Sequence, residues 1–447
     1  MNNKIVVYQV LTRLFGNTNT TNKPWGTKEE NGVGKFSDFT EKALLEIKKL
    51  GATHIWFTGV LHHALTTDYT AYGISNDFPA VVKGRAGSPY AIKDYYSVNP
   101  DLADDPAHRL EEWEALIART HQCGLKVIMD IVPNHVARRY ESIAKPKGIR
   151  GFGEDDDTSV QYAVNNNFYY NPNEAFQLPE GIYGEYHEFP AKWTGNGARA
   201  SKPDRNDWYE TVKLNYGVRP DSTKDFATLP VGFENEDTEV HYHFWQDQIV
   251  PNTWQKFKDI ALYWLAKGVD GFRYDMAEMV PVEFWSYLNS TIKHQNPEAF
   301  LLAEVYNPNE YRPYLHLGKM DYLYDKVELY DTLRAIVSYG HTTDAIAPIQ
   351  RELADISDRM LHFLENHDEQ RIASPEFAEK AKPAMTVSTL ISESPVMLYF
   401  GQEVGERAAE WAGFGSPSRT SIFDYIGVPA HQRWVNGKRF DGGQLSD

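Results

Sequence analysis

The chain has 447 residues, a formal net charge of -17 at pH 7 and one cysteine, Cys123. The length predicts two or three domains, and one cysteine rules out an internal disulfide. The negative charge argues against nucleic acid or an anionic membrane surface as a partner, because phosphate binding needs clustered Lys and Arg. No segment approaches the roughly 18 consecutive apolar residues of a membrane span.

The N-terminus has no apolar secretory segment. This favours the cytoplasm if the N-terminus is native. A secreted or periplasmic location stays open if a signal peptide has been removed.

One unit recurs along the chain: an amphipathic helix, a glycine that ends it, and a short apolar strand. Pro near helix starts and Gly at helix ends are the expected punctuation. The helices begin near Ser37, Pro106, Pro251 and Pro281, and their strands are predicted at residues 53–57, 125–130, 269–275 and 300–304. Apolar strands joined by helices predict a parallel sheet that is covered on both faces.

Further strands are predicted at residues 5–11, 360–364 and 396–400, with a weaker candidate at 320–324. The count then reaches eight. Eight βα units favour an α/β protein with a (β/α)8 TIM barrel over a doubly wound sheet.

Two long irregular stretches interrupt this alternation, at residues 64–105 and 136–250. The second is too long to be a plain loop within a barrel, so it predicts a domain inserted after the third strand. We therefore expect the first part of a barrel at 1–135, an inserted domain at 136–250, and the second part of the barrel at 251–447. Both stretches follow a strand, which places them on the face where barrel active sites are built.

The segment from 406 to 447 shows no strong amphipathic helix. A complete barrel needs an eighth helix, so two interpretations stay open. Either the sequence is truncated before that helix, or the barrel closes in an unusual way.

Four polar clusters follow predicted strands: residues 130–135, 271–275, 303–305 and 366–368. Each places a carboxylate after an apolar run, where burial is costly unless the group is paired or functional. A lone carboxylate of this kind is more often a structural ion-pair partner. Four on one face of a barrel favour a catalytic site instead.

In order, residue type and spacing, these clusters resemble the four signature regions of the α-amylase family of glycosidases (glycoside hydrolase family 13). The resemblance extends from Val6 to Glu403. It implies a retaining α-glycosidase in which Asp275 is the nucleophile and Glu304 the general acid/base. It also implies that Asp368 is the third family carboxylate and that Arg273 holds Asp275 ionised.

The resemblance further implies that Asp130 supports Arg273 and that His135 and His367 bind ring hydroxyls of the substrate. The expected stacking platform for the sugar is Tyr72. The alternative for each histidine is a structural imidazole.

The Asn134 position resembles one that ligates a structural Ca²⁺ in many family members. Its remaining ligands would come from the acidic run at 154–157, for which a solvated loop is the alternative. No organic cofactor is expected. The family's usual C-terminal β-sandwich is not found in the sequence.

Glu278 and Met279 depart from the family pattern, which often has Lys-His at these positions to contact the leaving-group sugars. The leading function is cleavage of α-1,4-glucosidic bonds in starch, glycogen or maltooligosaccharides. An α-glucan transglycosylase or disaccharide isomerase with the same covalent intermediate is the alternative. A non-catalytic, amylase-like binding protein is a third hypothesis.

Overall fold

Eight parallel strands form a barrel. The computed structural model describes residues 4–373, 380–408 and 419–445. In chain order the barrel strands are β1 (Val6–Leu11), β2 (His54–Thr58), β3 (Lys126–Ile131), β4 (Gly271–Tyr274), β5 (Phe300–Ala303), β6 (Tyr322–Tyr324), β7 (Met360–Leu361) and β8 (Val396–Tyr399). Each of β1 to β6 pairs with the next along the chain, and β1 also pairs with β8. A parallel bridge between His362 and Val396 joins β7 to β8 and closes the ring. The barrel prediction is confirmed.

The strands are almost wholly buried, as expected for a parallel sheet covered by helices. Their register sets the chemistry at the barrel end. Arg273 of β4 lies beside Asp130 of β3 and Leu302 of β5. A cation inside the barrel is thereby placed between two strand ends that carry carboxylates.

Amphipathic helices surround the barrel and bury their apolar faces against it. The helices of seven or more residues are Glu41–Lys49, Arg109–Gln122, Thr238–Gln246, Asn252–Ala266, Val282–Gln295, Asp331–Tyr339, Ile346–Glu352, Ala381–Leu390 and Pro429–Val435. A shorter helix, Tyr311–His316, follows β5. Six of the ten tryptophans in the described part of the chain are fully buried, so most of these rings serve the core. In the part of the chain that the structure describes, no helix is long and apolar enough to cross a membrane.

The chain leaves the barrel after β2 and again after β3. After β2 it forms an antiparallel pair, Leu61–His63 with Ile92–Val98. After β3 it forms two short antiparallel pairs, His135–Ala137 with Thr211–Lys213 and Tyr170–Asn171 with Ala191–Lys192. That this second excursion is a separate domain with bounds 136–250 stays a prediction.

A short helix, Pro429–Val435, follows β8, where the sequence showed no strong amphipathic pattern. Its buried face includes two polar residues, His431 and Gln432, so it has no apolar stripe to detect. The His431 Nε2 atom lies 2.7 Å from the carbonyl oxygen of Phe15, which ties this helix to the segment after β1.

Candidate active site

A cavity of about 400 Å³ opens at the carboxyl ends of the barrel strands. Asp275 follows β4 directly and Glu304 follows β5 directly, while Asp368 comes from the loop after β7. All three line the cavity. The described residues around them are Lys83, Ser88, Tyr90, His135, Trp208, Glu210, Thr211, Met276, Tyr306, Glu369, Arg419, Ile422 and Phe423. The strand ends therefore bring the predicted carboxylates to one place.

Arg273 lies beneath the cavity and is fully buried. Its Nη1 donates to Asp275 Oδ1 at 2.7 Å, and its Nη2 donates to Glu304 Oε2 at 2.8 Å. Nη1 also lies 3.3 Å from Asp130 Oδ1, and Nε donates to the Tyr324 hydroxyl at 3.2 Å. One planar guanidinium thus bridges the two carboxylates and fixes their relative positions.

The cluster below the cavity carries more negative than positive charge. Burial raises the pKa of Asp275, Arg273 opposes this, and the charges of Glu304 and Asp130 add to the rise. Burial also raises the pKa of Asp130. Three ionised carboxylates around one guanidinium would leave two uncompensated negative charges, so a proton is readily held within the cluster.

Glu304 accepts a second hydrogen bond, which the backbone N–H of Met276 donates to its Oε2 at 2.9 Å. Asp130 accepts from the indole Nε1 of Trp56 at 2.9 Å. These bonds fix both side chains. Sequence reasoning missed Trp56, since a tryptophan within a strand is indistinguishable from a core residue.

Asp368 is paired with His367, whose Nε2 lies 2.9 Å from Asp368 Oδ2. The Gln9 amide nitrogen lies 2.8 Å from His367 Nδ1, so Nδ1 accepts and Nε2 carries the hydrogen. The Tyr90 hydroxyl is 2.6 Å from the same Nε2. Although burial would raise the pKa of Asp368, His367 together with Arg273 and Arg419 lowers it to about 2. Asp368 is therefore ionised near neutral pH.

His135 also lines the cavity, with its ring edge against Trp208 at 5.6 Å between centroids. Burial lowers its pKa to about 3, and the charge of Lys213 adds to this effect. The imidazole is neutral. Its Nδ1 lies 3.0 Å from the Asn134 amide nitrogen and accepts from it, so the hydrogen is on Nε2.

Tyr72 is not brought to the cavity. It is 43% exposed, its ring contacts Tyr69, and it is not among the described residues that line the cavity. Tyr90 has the place expected for Tyr72: it lines the cavity and stacks on His367 at 5.3 Å between centroids. The stretch from 64 to 105 contains several tyrosines, and only its folding selects among them. The one available signal was that Tyr90 directly precedes the buried strand Ile92–Val98.

The side-chain oxygen of Asn134 is occupied by a cation of the protein itself. Lys213 Nζ donates to Asn134 Oδ1 and lies 3.3 Å from the carbonyl oxygen of Met279. Burial lowers the pKa of Lys213 to about 8, which still leaves it mostly protonated at pH 7. The other end of the Asn134 amide donates to the Gly195 carbonyl at 2.9 Å.

The acidic run at 154–157 is also engaged locally. Glu154 pairs with Lys145, Asp155 pairs with Arg150, and Asp156 accepts from the backbone N–H groups of residues 167 and 168. No group of three or more His, Cys, Asp or Glu side chains suited to a metal occurs among the described residues. These contacts do not fit a calcium ion at Asn134, because an ammonium already occupies the oxygen that the ion would need.

The residues that depart from the family pattern lie at a second cavity of about 690 Å³, next to the first. Its described lining is Tyr169, Lys213, Leu214, Tyr216, Val218, Lys224, Glu278, Met279, Val280, Pro281, Val282, Asn307, Glu310 and Tyr314. Glu278 Oε2 accepts from the backbone N–H of Tyr306 at 3.0 Å and of Asn307 at 2.9 Å. Glu278 therefore holds the loop that follows Glu304.

A (β/α)8 barrel with two bridged carboxylates at its carboxyl end has the architecture of a glycoside hydrolase. The comparisons with known proteins agree: the model of the α-amylase catalytic domain matches residues 9–424. The chain belongs to the α-amylase family.

Individual relatives have a low sequence identity to this chain, but their alignments cover most of its length. Alpha-amylase 3 of Dictyoglomus thermophilum is 22% identical over 421 residues, which cover 90% of this chain and 64% of that protein. Neopullulanase 2 of Thermoactinomyces vulgaris is 21% identical over 429 residues, covering 90% of this chain and 57% of that protein. The chain thus spans less than two thirds of the length of these relatives.

Solved structures show the same fold. An α-amylase from Lactobacillus plantarum gives a TM-score of 0.58 at 21% identity and covers 98% of this chain and 80% of its own. A cyclic α-maltosyl-(1→6)-maltose hydrolase from Arthrobacter globiformis, in complex with maltose, gives 0.57 at 18% identity and covers 97% and 81%.

Proposed function

We propose that the protein is a retaining glycoside hydrolase that cleaves α-1,4-glucosidic bonds of starch, glycogen or maltooligosaccharides. The observation that carries this proposal is the bridging of Asp275 and Glu304 by Arg273 at the base of the cavity. Retaining enzymes hold their two carboxyl groups about 5 Å apart, whereas inverting enzymes need room for a water between them. Two carboxylates on the terminal nitrogens of one guanidinium favour the shorter separation.

In the first step Glu304 gives its proton to the glycosidic oxygen as the bond to the anomeric carbon breaks. A carboxylate oxygen of Asp275 forms a bond to that carbon, and the leaving sugar departs with the proton. In the second step Glu304, now ionised, takes a proton from water. The water oxygen replaces Asp275 at the anomeric carbon, and both carboxyl groups return to their starting states.

The remaining cavity residues bind and orient the sugar in this proposal. Ionised Asp368 accepts hydrogen bonds from sugar hydroxyls, and its charge favours the positive transition state. His135 is neutral and lines the cavity. The Tyr90 ring supplies the flat apolar surface against which a sugar face packs.

The test is product analysis with maltoheptaose for the wild type and for Asp275→Asn and Glu304→Gln. We expect hydrolysis by the wild type, α-configured products at early times, and loss of most of kcat in both variants. Longer oligomers appearing first would favour the transglycosylase. Equal activity of wild type and both variants would favour an amylase-like fold without this chemistry.

We also propose that Lys213, rather than calcium, joins Asn134 to the segment after the nucleophile. Its ammonium contacts Asn134 Oδ1 and the carbonyl of Met279. It therefore links the excursion after β3 to the turn that follows Asp275, with no ion required.

A further inference from the structure

One rim of the catalytic cavity is built by three segments that are distant in sequence. Lys83 comes from the chain after β2, Glu210 from the excursion after β3, and Arg419 and Phe423 from the chain after β8. We call these four residues the closed rim. Two of them, Arg419 and Phe423, follow β8, which is joined to β7 by the His362–Val396 bridge, and the loop after β7 carries Asp368.

Contacts between the three segments hold the closed rim together. Lys83 Nζ lies 3.9 Å from Glu210 Oε1 and 4.6 Å from the centre of the Phe423 ring. The backbone N–H of Ala86 donates to the Phe423 carbonyl at 2.8 Å. A Cβ atom at Gly84 would lie 2.3 Å from that carbonyl oxygen, so the two backbones are in close contact.

A buried arginine fixes the same two segments from below. Arg13, which is 3% exposed, donates to the carbonyl of Ala86 at 3.2 Å and also to the carbonyl of Ile422. Because a buried guanidinium needs its acceptors, opening this rim would leave part of that charge without partners. These contacts therefore hold the closed rim in a fixed position.

Another part of the cavity lining continues into the second cavity. The first cavity is lined by Thr211, Met276 and Tyr306. The second cavity begins one or two residues further along each of those segments, at Lys213, Glu278 and Asn307. This is the side of the loop after Glu304, the residue that protonates the leaving group in the proposed function.

We propose that the enzyme acts from the non-reducing end, with room for one terminal glucosyl unit before the closed rim and with the leaving-group sugars directed into the second cavity. The inference depends on the proposed function, because that function sets which side receives the leaving group. The first cavity has a volume of about 400 Å³, which is near the lower end of the range of about 300–1,000 Å³ for small-molecule sites and so suits a short occupant. Lys83, Glu210 and Arg419 supply donors and an acceptor for the terminal hydroxyls.

The experiment compares two maltoheptaosides that carry the same aryl group at the reducing end. One has a free non-reducing end, and the other has its terminal 4- and 6-hydroxyls blocked by an ethylidene group. We expect glucose as the first product from the free substrate and about a hundredfold slower cleavage of the blocked one, a difference of about 2.7 kcal/mol. Internal fragments appearing first, or similar rates on both substrates, would overturn the inference and leave the proposed function intact. Inactivity on every α-glucoside would instead overturn the proposed function, and the inference with it.

Two variants assign the effect to the rim. Phe423→Ala removes its apolar wall. Lys83→Ala removes a side chain that is 41% exposed and so carries little risk to folding. We expect each to raise the blocked-to-free rate ratio about tenfold. The matched control is Lys224→Ala in the second cavity, which should leave that ratio unchanged. A ratio unaltered by both rim variants would contradict the role of the closed rim.

Discussion

Arg273→Lys tests whether the guanidinium fork, and not only a positive charge, organises the site. Arg273 donates to Asp275 at 2.7 Å and to Glu304 at 2.8 Å from two different nitrogens. A lysine ammonium is a point charge and cannot match both bonds. Hydrogen bonds to charged groups contribute about 1.5–3 kcal/mol each. Losing one of the two should cost about 2–3 kcal/mol in the transition state, a fall in kcat/KM of about 30- to 150-fold.

The assay is kcat/KM on an aryl maltoside, with the folded fraction measured by circular dichroism in the same buffer. The control is Arg138→Lys, a fully buried arginine that pairs with Glu188 at 2.6 Å in the excursion after β3. It should lower the thermal midpoint with far less effect on kcat/KM per folded molecule. If Arg273→Lys loses less than about threefold in kcat/KM, the fork does not position the carboxylates and the reasoning is refuted.

Three further predictions follow from the contacts of the site and the core. Glu304→Gln should slow natural oligosaccharides far more than aryl glycosides, because a good leaving group needs little protonation; equal losses on both substrates would contradict the acid role. Lys213→Met should lower the thermal midpoint, while a chelator should leave the wild-type midpoint unchanged; a fall with chelator that calcium reverses would show that an ion is needed. Burial lowers the pKa of His431 to about 3 and of His63 to about 4, so the folded protein keeps both neutral where the unfolded chain protonates near pH 6.5. Above pH 6.5 these two histidines do not lower the free energy of unfolding. As the pH falls from 6.5 towards 4, that free energy decreases by about 3 kcal/mol per histidine. Denaturant titrations at pH 7 and 5 measure the first part of this loss, about 2 kcal/mol per histidine, which should be smaller in His431→Asn.

The barrel and its carboxylates were predictable because each rests on a local pattern. An apolar strand followed by a polar residue places that residue at the carboxyl end, and parallel strands bring such ends together. The clusters that contain Asp275, Glu304 and Asp368 were found in this way, and the resemblance to the α-amylase family singled out these three carboxylates, which line one cavity. The predicted strand bounds differ from the observed ones by one to three residues at some ends, where the backbone continues to make inter-strand hydrogen bonds, as Asp275 N–H does to the carbonyl of Ile131.

Residues from the irregular stretches could not be placed in the same way. No periodicity relates Tyr72 or Tyr90 to the barrel, so choosing between them requires the fold of the chain between β2 and β3. The contact between Asn134 and Lys213 was also not predictable from local sequence. Lys213 is 79 residues further along the chain and meets Asn134 through the pairing of His135–Ala137 with Thr211–Lys213. Such contacts depend on long-range closure and leave no trace in local sequence.

At Glu278 the sequence departs from the family pattern, and the structure shows the contacts that this side chain makes. In sequence it was only the loss of an expected basic side chain on the leaving-group side. In the structure its carboxylate accepts two backbone N–H groups, from Tyr306 and Asn307, directly after the acid Glu304. At this position Glu278 instead holds the loop after Glu304. In the proposed function, contacts with the leaving sugars come from other side chains of the second cavity, such as Tyr169 and Lys224. We therefore expect the excursion after β3 to contribute to substrate preference together with the closed rim, while the strand ends carry the proposed chemistry.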